Sequence, residues 1–161
     1  MAVTEYRVGT GFDAHALEDG VPLVLGGVRI DHPRGLAGHS DGDVLAHALT
    51  DALLGAAGLE DIGALFPSGD PSLAGADSLE LLAKAWEHVR DYGWRLANAD
   101  VVLVGEAPRL APHREEMRQR LANALGVDPE LVAVRATTTD GLGFAGRGEG
   151  LAAQAVALLV R

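Results

Sequence analysis

The 161-residue chain carries 23 acidic against 13 basic side chains, a formal net charge of −10, and no cysteine. The clustered Lys and Arg that bind a phosphate backbone are missing, which argues against a nucleic-acid partner, and any nucleophile must be an oxygen or a metal-activated group rather than a thiolate. The length suits one domain spanning residues 1–161, with a core of Ala, Val and Leu and few aromatic residues. The N-terminal stretch lacks the basic start and apolar run of a signal peptide, and no apolar run reaches membrane-spanning length, so a cytoplasmic protein with no membrane partner is expected.

Residues 3–11 and 24–30 are short Val-, Leu- and Ile-rich runs separated by an acidic loop with Gly20 and Pro22, and are expected as strands. A helix is expected over 43–58, with Leu45, Leu49, Ala52, Leu53 and Ala56 at helical spacing and Gly58 as its stop. Ser40 with Asp43 three residues later resembles a capping box for it. A loop over 60–76 precedes a helix over 78–92, with Leu79, Leu82, Ala83, Trp86 and Val89 on one face. A strand over 94–104, a turn over 108–112 and a helix over 115–125 follow. Strands over 131–137 and 151–160 flank a Gly-rich turn at 141–150, the last run being apolar enough to suit a helix as well. The order β-β-α-α-β-α-β-β predicts an α/β protein of the α+β type, with a single mixed sheet and helices packed on it.

Asp13 and His15 stand two apart in an extended segment, so they project to one side, and His47 on the first helix makes a third ligand. Two His and one carboxylate form a ligand set of catalytic zinc, which keeps one position open. Asp43 and Asp51, four residues either side of His47, are candidates to orient its ring. His39 precedes a helix N-terminus, a place that favours an anion. Asp61 and Asp70 suit turn chemistry or the hydroxyls of a sugar. Thr137, Thr138, Thr139 and Asp140 suit phosphate oxygens with a hard cation, or simply a strand that ends in a turn. The glycine-rich stretch lacks a P-loop ending, and its Arg147 and Glu149 are either paired or free to bind an anion.

Taken in order, GFDAH at 11–15, GHSDGDV at 38–44, DALLGA at 51–56, DIG at 61–63, LFP at 65–67, ATTT at 136–139 and GRGEG at 146–150 resemble the 2-C-methyl-D-erythritol 2,4-cyclodiphosphate synthase family. The resemblance implies a lyase of the non-mevalonate isoprenoid pathway that converts 4-diphosphocytidyl-2-C-methyl-D-erythritol 2-phosphate into the cyclic diphosphate plus CMP. It implies a homotrimer with sheets around its axis and active sites at subunit interfaces. Asp13, His15 and His47 would hold Zn²⁺, and Asp140 would be the protein contact of a second cation, Mg²⁺ or Mn²⁺. His39 and Thr138 would stabilise the transition state. Ser40, Asp61, Ile62, Gly63, Phe66, Pro67, Ser68, Gly69 and Asp70 would hold the methylerythritol part. Gly105, Glu106, Ala107, Pro108, Arg109, Leu110 and Ala111, with Thr137 and Thr139, would form the cytidine pocket of a neighbouring subunit. Phe144 and Arg147 would line an axial cavity able to take an isoprenoid diphosphate. Asp140 replaces a usual Glu, and Gly105–Glu106 a usual Ala-Gln. A zinc phosphohydrolase and a trimeric binding module with a dead site are the competing readings.

Overall fold

The computed structural model describes residues 2–161, so Met1 of the N-terminal stretch lies outside the described residues. Its elements are β1 (Tyr6–Asp19), β2 (Leu23–Leu25), β3 (Val28–Ile30), β4 (Arg34–Leu36), α1 (Val44–Ala56), α2 (Ile62–Leu65), α3 (Ser78–Arg90), β5 (Arg95–Val104), α4 (Arg114–Leu125), β6 (Val132–Thr137), α5 (Gly143–Gly146) and β7 (Gly150–Val160). Five strands form a mixed sheet in the order β4-β1-β7-β5-β6, and β2 and β3 form a separate ribbon. The α+β class with a mixed sheet agrees with the expectation, and β7 is a strand rather than a helix. The single sheet and the simple element order do not hold.

The differences have local causes. β1 runs eight residues past the predicted end because His15 pairs with Leu151 and Ala16 with Gly150 on β7, and Leu17 to Asp19 pair with β4. The run over 24–30 is two strands, because Gly26 and Gly27 both have positive φ (56° and 74°) and make a two-residue hairpin turn. β4, α2 and α5 span three or four residues each, too few to show a period.

β5 and β6 are parallel neighbours, joined by the crossover through α4. α1 lies almost wholly inside, with Leu45, Leu49 and Leu53 fully buried, and packs against β1 and β7. Two glycines bring it there: a Cβ on Gly9 or Gly11 would collide with the carbonyl oxygens of Ala52 and Ala48. The inward face of β7 is Leu151, Ala153, Ala155, Ala157 and Leu159, all buried. The opposite face of the sheet is open and apolar, with Tyr6, Val8, Phe12 and Val156 exposed. No helix among the described residues is long and apolar enough to cross a membrane.

Candidate active site

Asp13 and His15 sit on the helix-facing side of β1, and His47 lies one turn into α1, the helix that Gly9 and Gly11 draw close. Asp13 Oδ2 is 3.0 Å from His15 Nε2 and 3.1 Å from His47 Nδ1. One donor atom from each of the three residues falls within 4.8 Å of the others. The side chains are 24%, 23% and 13% exposed, open enough on one side for a ligand. His15 Nε2 is buried with no aligned hydrogen-bond partner, although the Asp13 carboxylate is close. Buried polar atoms are almost always paired, so a nitrogen left this way fits a divalent cation between the three groups. Burial pushes the Asp13 carboxyl up, but His15 and His47 outweigh it and hold it at about 2. The same contact with Asp13 raises His15 above the ordinary imidazole value, against the opposing effect of burial.

The three residues form the floor of a cavity of about 240 Å³ walled by His39, Ser40, Ile62, Gly63, Phe66 and Ser68. Leu73 and Leu81 complete the wall, and neither was foreseen, since an apolar residue in a loop or on a helix carries no sequence mark of a cavity. His39 Nε2 donates to the Asp70 carbonyl oxygen at 2.8 Å, tying the segment before α1 to the 60–76 loop. Asp61 and Asp70 take the turn role: Asp61 accepts from Ala64 N at 2.9 Å, and Asp70 from Ser72 N and Oγ at 2.9 and 2.8 Å. Pro67 and Gly69 lie in the same loop, where the Pro67 carbonyl accepts from Asp70 N.

The expected orienting partners of His47 are corrected. Asp43 is the N-cap of α1 and accepts from Ala46 N, and its remaining capacity goes to Gly26 N at 2.9 Å and Gly27 N at 2.8 Å. Burial pushes its carboxyl up to about 6, with the Gly27 and Ala46 N–H groups working against that rise. Asp51 accepts from Ile62 N at 2.7 Å and so pins α2. Ser40 is not a cap. Its hydroxyl stands 3.1 Å from His47 Nε2, and Ser78, which sequence reading left as a helix start, stands 2.8 Å from the same nitrogen.

The other predicted residues gather in a second cluster, at the C-terminal ends of β5 and β6. Gly105 N donates to the Thr137 carbonyl at 3.0 Å, and Glu106 Oε1 accepts from Thr139 N and Gly141 N, each at 3.2 Å. Thr138 Oγ1 reaches Asp140 Oδ1 at 3.4 Å, and Asp140 has a left-handed φ of 53°. Ala107, Pro108, Arg109 and Ala111 continue the loop. Leu110 is 3% exposed, its side chain anchoring the loop in the core. Asp13 lies level with Leu103, two strands over, and Val104 with Thr137 on the next. Three strand steps of about 4.8 Å therefore put the two clusters about 14 Å apart within one chain. Phe144, on α5, borders a shallow hollow with Ala14, Ala16 and Gly150, and Arg147 is paired to Glu149 at 2.8 Å rather than free.

A family model for YgbB matches residues 6–160. The chain belongs to the YgbB family. Among relatives in this family, the 2-C-methyl-D-erythritol 2,4-cyclodiphosphate synthase of Moorella thermoacetica is 60% identical over 154 residues, covering 96% of this chain and 94% of that one. The bifunctional IspDF of Campylobacter jejuni superposes with a TM-score of 0.94 at 45% identity, covering 98% of this chain and 43% of that chain. A 2C-methyl-D-erythritol-2,4-cyclodiphosphate synthase in a CDP-bound form superposes with a TM-score of 0.87 at 41% identity, covering 95% of this chain and 99% of that chain.

Proposed function

We propose that this chain is a single-domain, cytoplasmic lyase of the non-mevalonate isoprenoid pathway. It converts 4-diphosphocytidyl-2-C-methyl-D-erythritol 2-phosphate into 2-C-methyl-D-erythritol 2,4-cyclodiphosphate and CMP. The observation that carries this reading is the gathering of one ligand atom each from Asp13, His15 and His47 within 4.8 Å of one another, in a chain that aligns nearly end to end with such a synthase. The 2-phosphate oxygen attacks the β-phosphorus, the bond from that phosphorus to the bridging oxygen breaks, and CMP leaves with the bridging oxygen. Both nucleophile and leaving group belong to the substrate, so a chain without cysteine or an activated serine suffices. The protein's task is positioning and charge neutralisation.

Asp13, His15 and His47 hold Zn²⁺, which when bound places positive charge against a phosphate oxygen. Ser40, Ile62, Gly63, Phe66 and Ser68 enclose the methylerythritol part, while Asp61, Pro67, Gly69 and Asp70 shape their loop. His39, whose Nε2 donates to the Asp70 carbonyl, and Thr138 stand as the groups that stabilise the transition state. Asp140 would be the protein contact of a second cation, Mg²⁺ or Mn²⁺, which would supply positive charge to offset the charge of the phosphates. The 105–111 and 137–140 loops take the cytidine.

A homotrimer is the assembly this reading requires, since the two clusters lie too far apart in one chain to grip a single diphosphate. The open apolar face of β1 and β7 supports it. Phe144 and Arg147 face an axial cavity suited to an isoprenoid diphosphate, which must compete with Glu149 for the arginine. Phosphorus NMR with the cytidyl substrate and Mg²⁺, before and after zinc chelation, tests the proposal. A cyclic diphosphate with CMP, lost on chelation and regained with Zn²⁺, is expected. Inorganic phosphate would mean a hydrolase, and an unchanged spectrum in zinc-loaded protein a binding module.

A further inference from the structure

We infer that Asp41 and Ser78 form a positioning pair that dictates which nitrogen of His47 is offered to the metal. The inference rests on the zinc reading above for one of its two readouts only.

Ser78 is wholly buried at the first turn of α3, directly after the N-cap Asp77. Its backbone N–H donates to Asp41 Oδ2 at 2.9 Å, and its hydroxyl lies against Asp41 Oδ1. Asp41 Oδ1 also accepts from Asp43 N at 3.1 Å, so every protein partner of this carboxylate is a donor, the role an acceptor-only ionised group fills. The single hydroxyl proton of Ser78 is thereby committed to Asp41. Ser78 Oγ stands 2.8 Å from His47 Nε2, and with its proton engaged it can only accept. The hydrogen between them must belong to Nε2. A neutral imidazole protonated at Nε2 carries its lone pair on Nδ1, the nitrogen that faces Asp13 Oδ2 at 3.1 Å, so lone pair and carboxylate meet where a cation, or in its absence a second ring proton, must lie between them. Counting protons along Asp41, Ser78 and His47 therefore assigns a tautomer that coordinates alone do not reveal.

Two consequences follow for the neighbours. Ser40 Oγ, 3.1 Å from the same Nε2, can take only a share of that one hydrogen, so its own proton is free for a substrate oxygen. The segment before α1 is also clasped to the segment before α3, through Gly75 N to the His39 carbonyl at 2.8 Å and Asp41 N to the Ala76 carbonyl at 3.2 Å. The pair thus sits where the histidine that lines the cavity and the histidine that binds metal are held by one set of bonds.

The test uses the full chain. Proton–nitrogen NMR of the His47 ring, above the imidazole titration range and without metal, reads the tautomer in an Asp13→Ala background, where no carboxylate competes for the ring hydrogen at Nδ1, and competition with a chromophoric chelator reads zinc affinity in the otherwise parental chain. In that background hydrogen on Nε2 is expected; hydrogen on Nδ1 would overturn the inference. Ser78→Ala is expected to weaken zinc binding about 10–100-fold, the usual effect of removing a partner of a ligating histidine, and Ser78→Thr to restore most of it. Asp41→Asn leaves the serine in place but lets an amide N–H turn toward Ser78 Oγ, so the serine proton can point at His47 and push the ring hydrogen to Nδ1. It decides the matter where Ser78→Ala does not fold. Folded variants with parental tautomer and parental zinc affinity would overturn the inference. Nε2–H in the Asp13→Ala background beside a parent chain that binds no zinc would instead sink the zinc reading and leave the pair's role standing.

Discussion

The Asp13 carboxyl, held at about 2, and His15, raised by it, make the metal position a proton-binding site as well. Asp13 stays ionised far below the range in which an imidazole titrates, so a proton on His15 is one with which a cation must compete. Because its pKa lies above the ordinary imidazole value, His15 keeps that proton to a higher pH than a free histidine, and a cation must displace it. Zinc affinity should therefore climb with pH until His15 has titrated and then level off. Calorimetry in two buffers of different ionisation enthalpy should detect proton release on zinc binding at neutral pH that fades at alkaline pH; release that does not vary with pH would contradict the coupling. The ligands themselves were legible in the sequence, because alternation along an extended strand places Asp13 and His15 together whatever surrounds them. The partners of His47 were not. Spacing on the helix favoured Asp43 and Asp51, yet both carboxylates are engaged by backbone N–H groups from the β2–β3 turn and from α2, segments whose approach no local pattern reveals. Asp41 and Ser78 meet from positions 37 residues apart, and each reads locally as an ordinary residue at the start of a helix.

At the scale of elements, the site depends on how near α1 lies to β1. Gly11 sets that separation, since a methyl group there would run into the Ala48 carbonyl, one residue past His47. Gly11→Ala should cost about 1–3 kcal/mol, the usual range for forcing a methyl group into a packed interior, and should also move His47 away from Asp13. Urea unfolding checks the first effect and zinc competition the second. A variant with lower stability but parental zinc affinity would show that the helix position is not what assembles the triad. Helices and long strands were readable from their periodicity, and the three large helices lie where the apolar spacing put them. The ribbon was read as one strand because a pair of glycines between apolar runs was not weighed as a hairpin turn, and β4 was missed because three residues carry no alternation.

For the whole molecule, the proposed trimer predicts that metal binding and catalysis can be separated. Phe12 is 62% exposed on the outer face of β1, its side chain pointing away from Asp13 and α1. Phe12→Glu should leave the fold and zinc binding intact, abolish the species with the mass of three copies in analytical ultracentrifugation, and remove synthase activity with it. A monomer that still cyclises substrate would refute a site shared between chains. The order of strands has another consequence, one for how the chain is made. β7 is the last strand in sequence yet lies between β1 and β5 in the sheet, and pairs along nearly its whole length with both. On the ribosome, β1 and β5 emerge long before the strand that joins them, and such distant pairings are slow to form. The candidate metal ligands on β1 are therefore framed by their sheet neighbour only once residues 150–160 are available to pair with them.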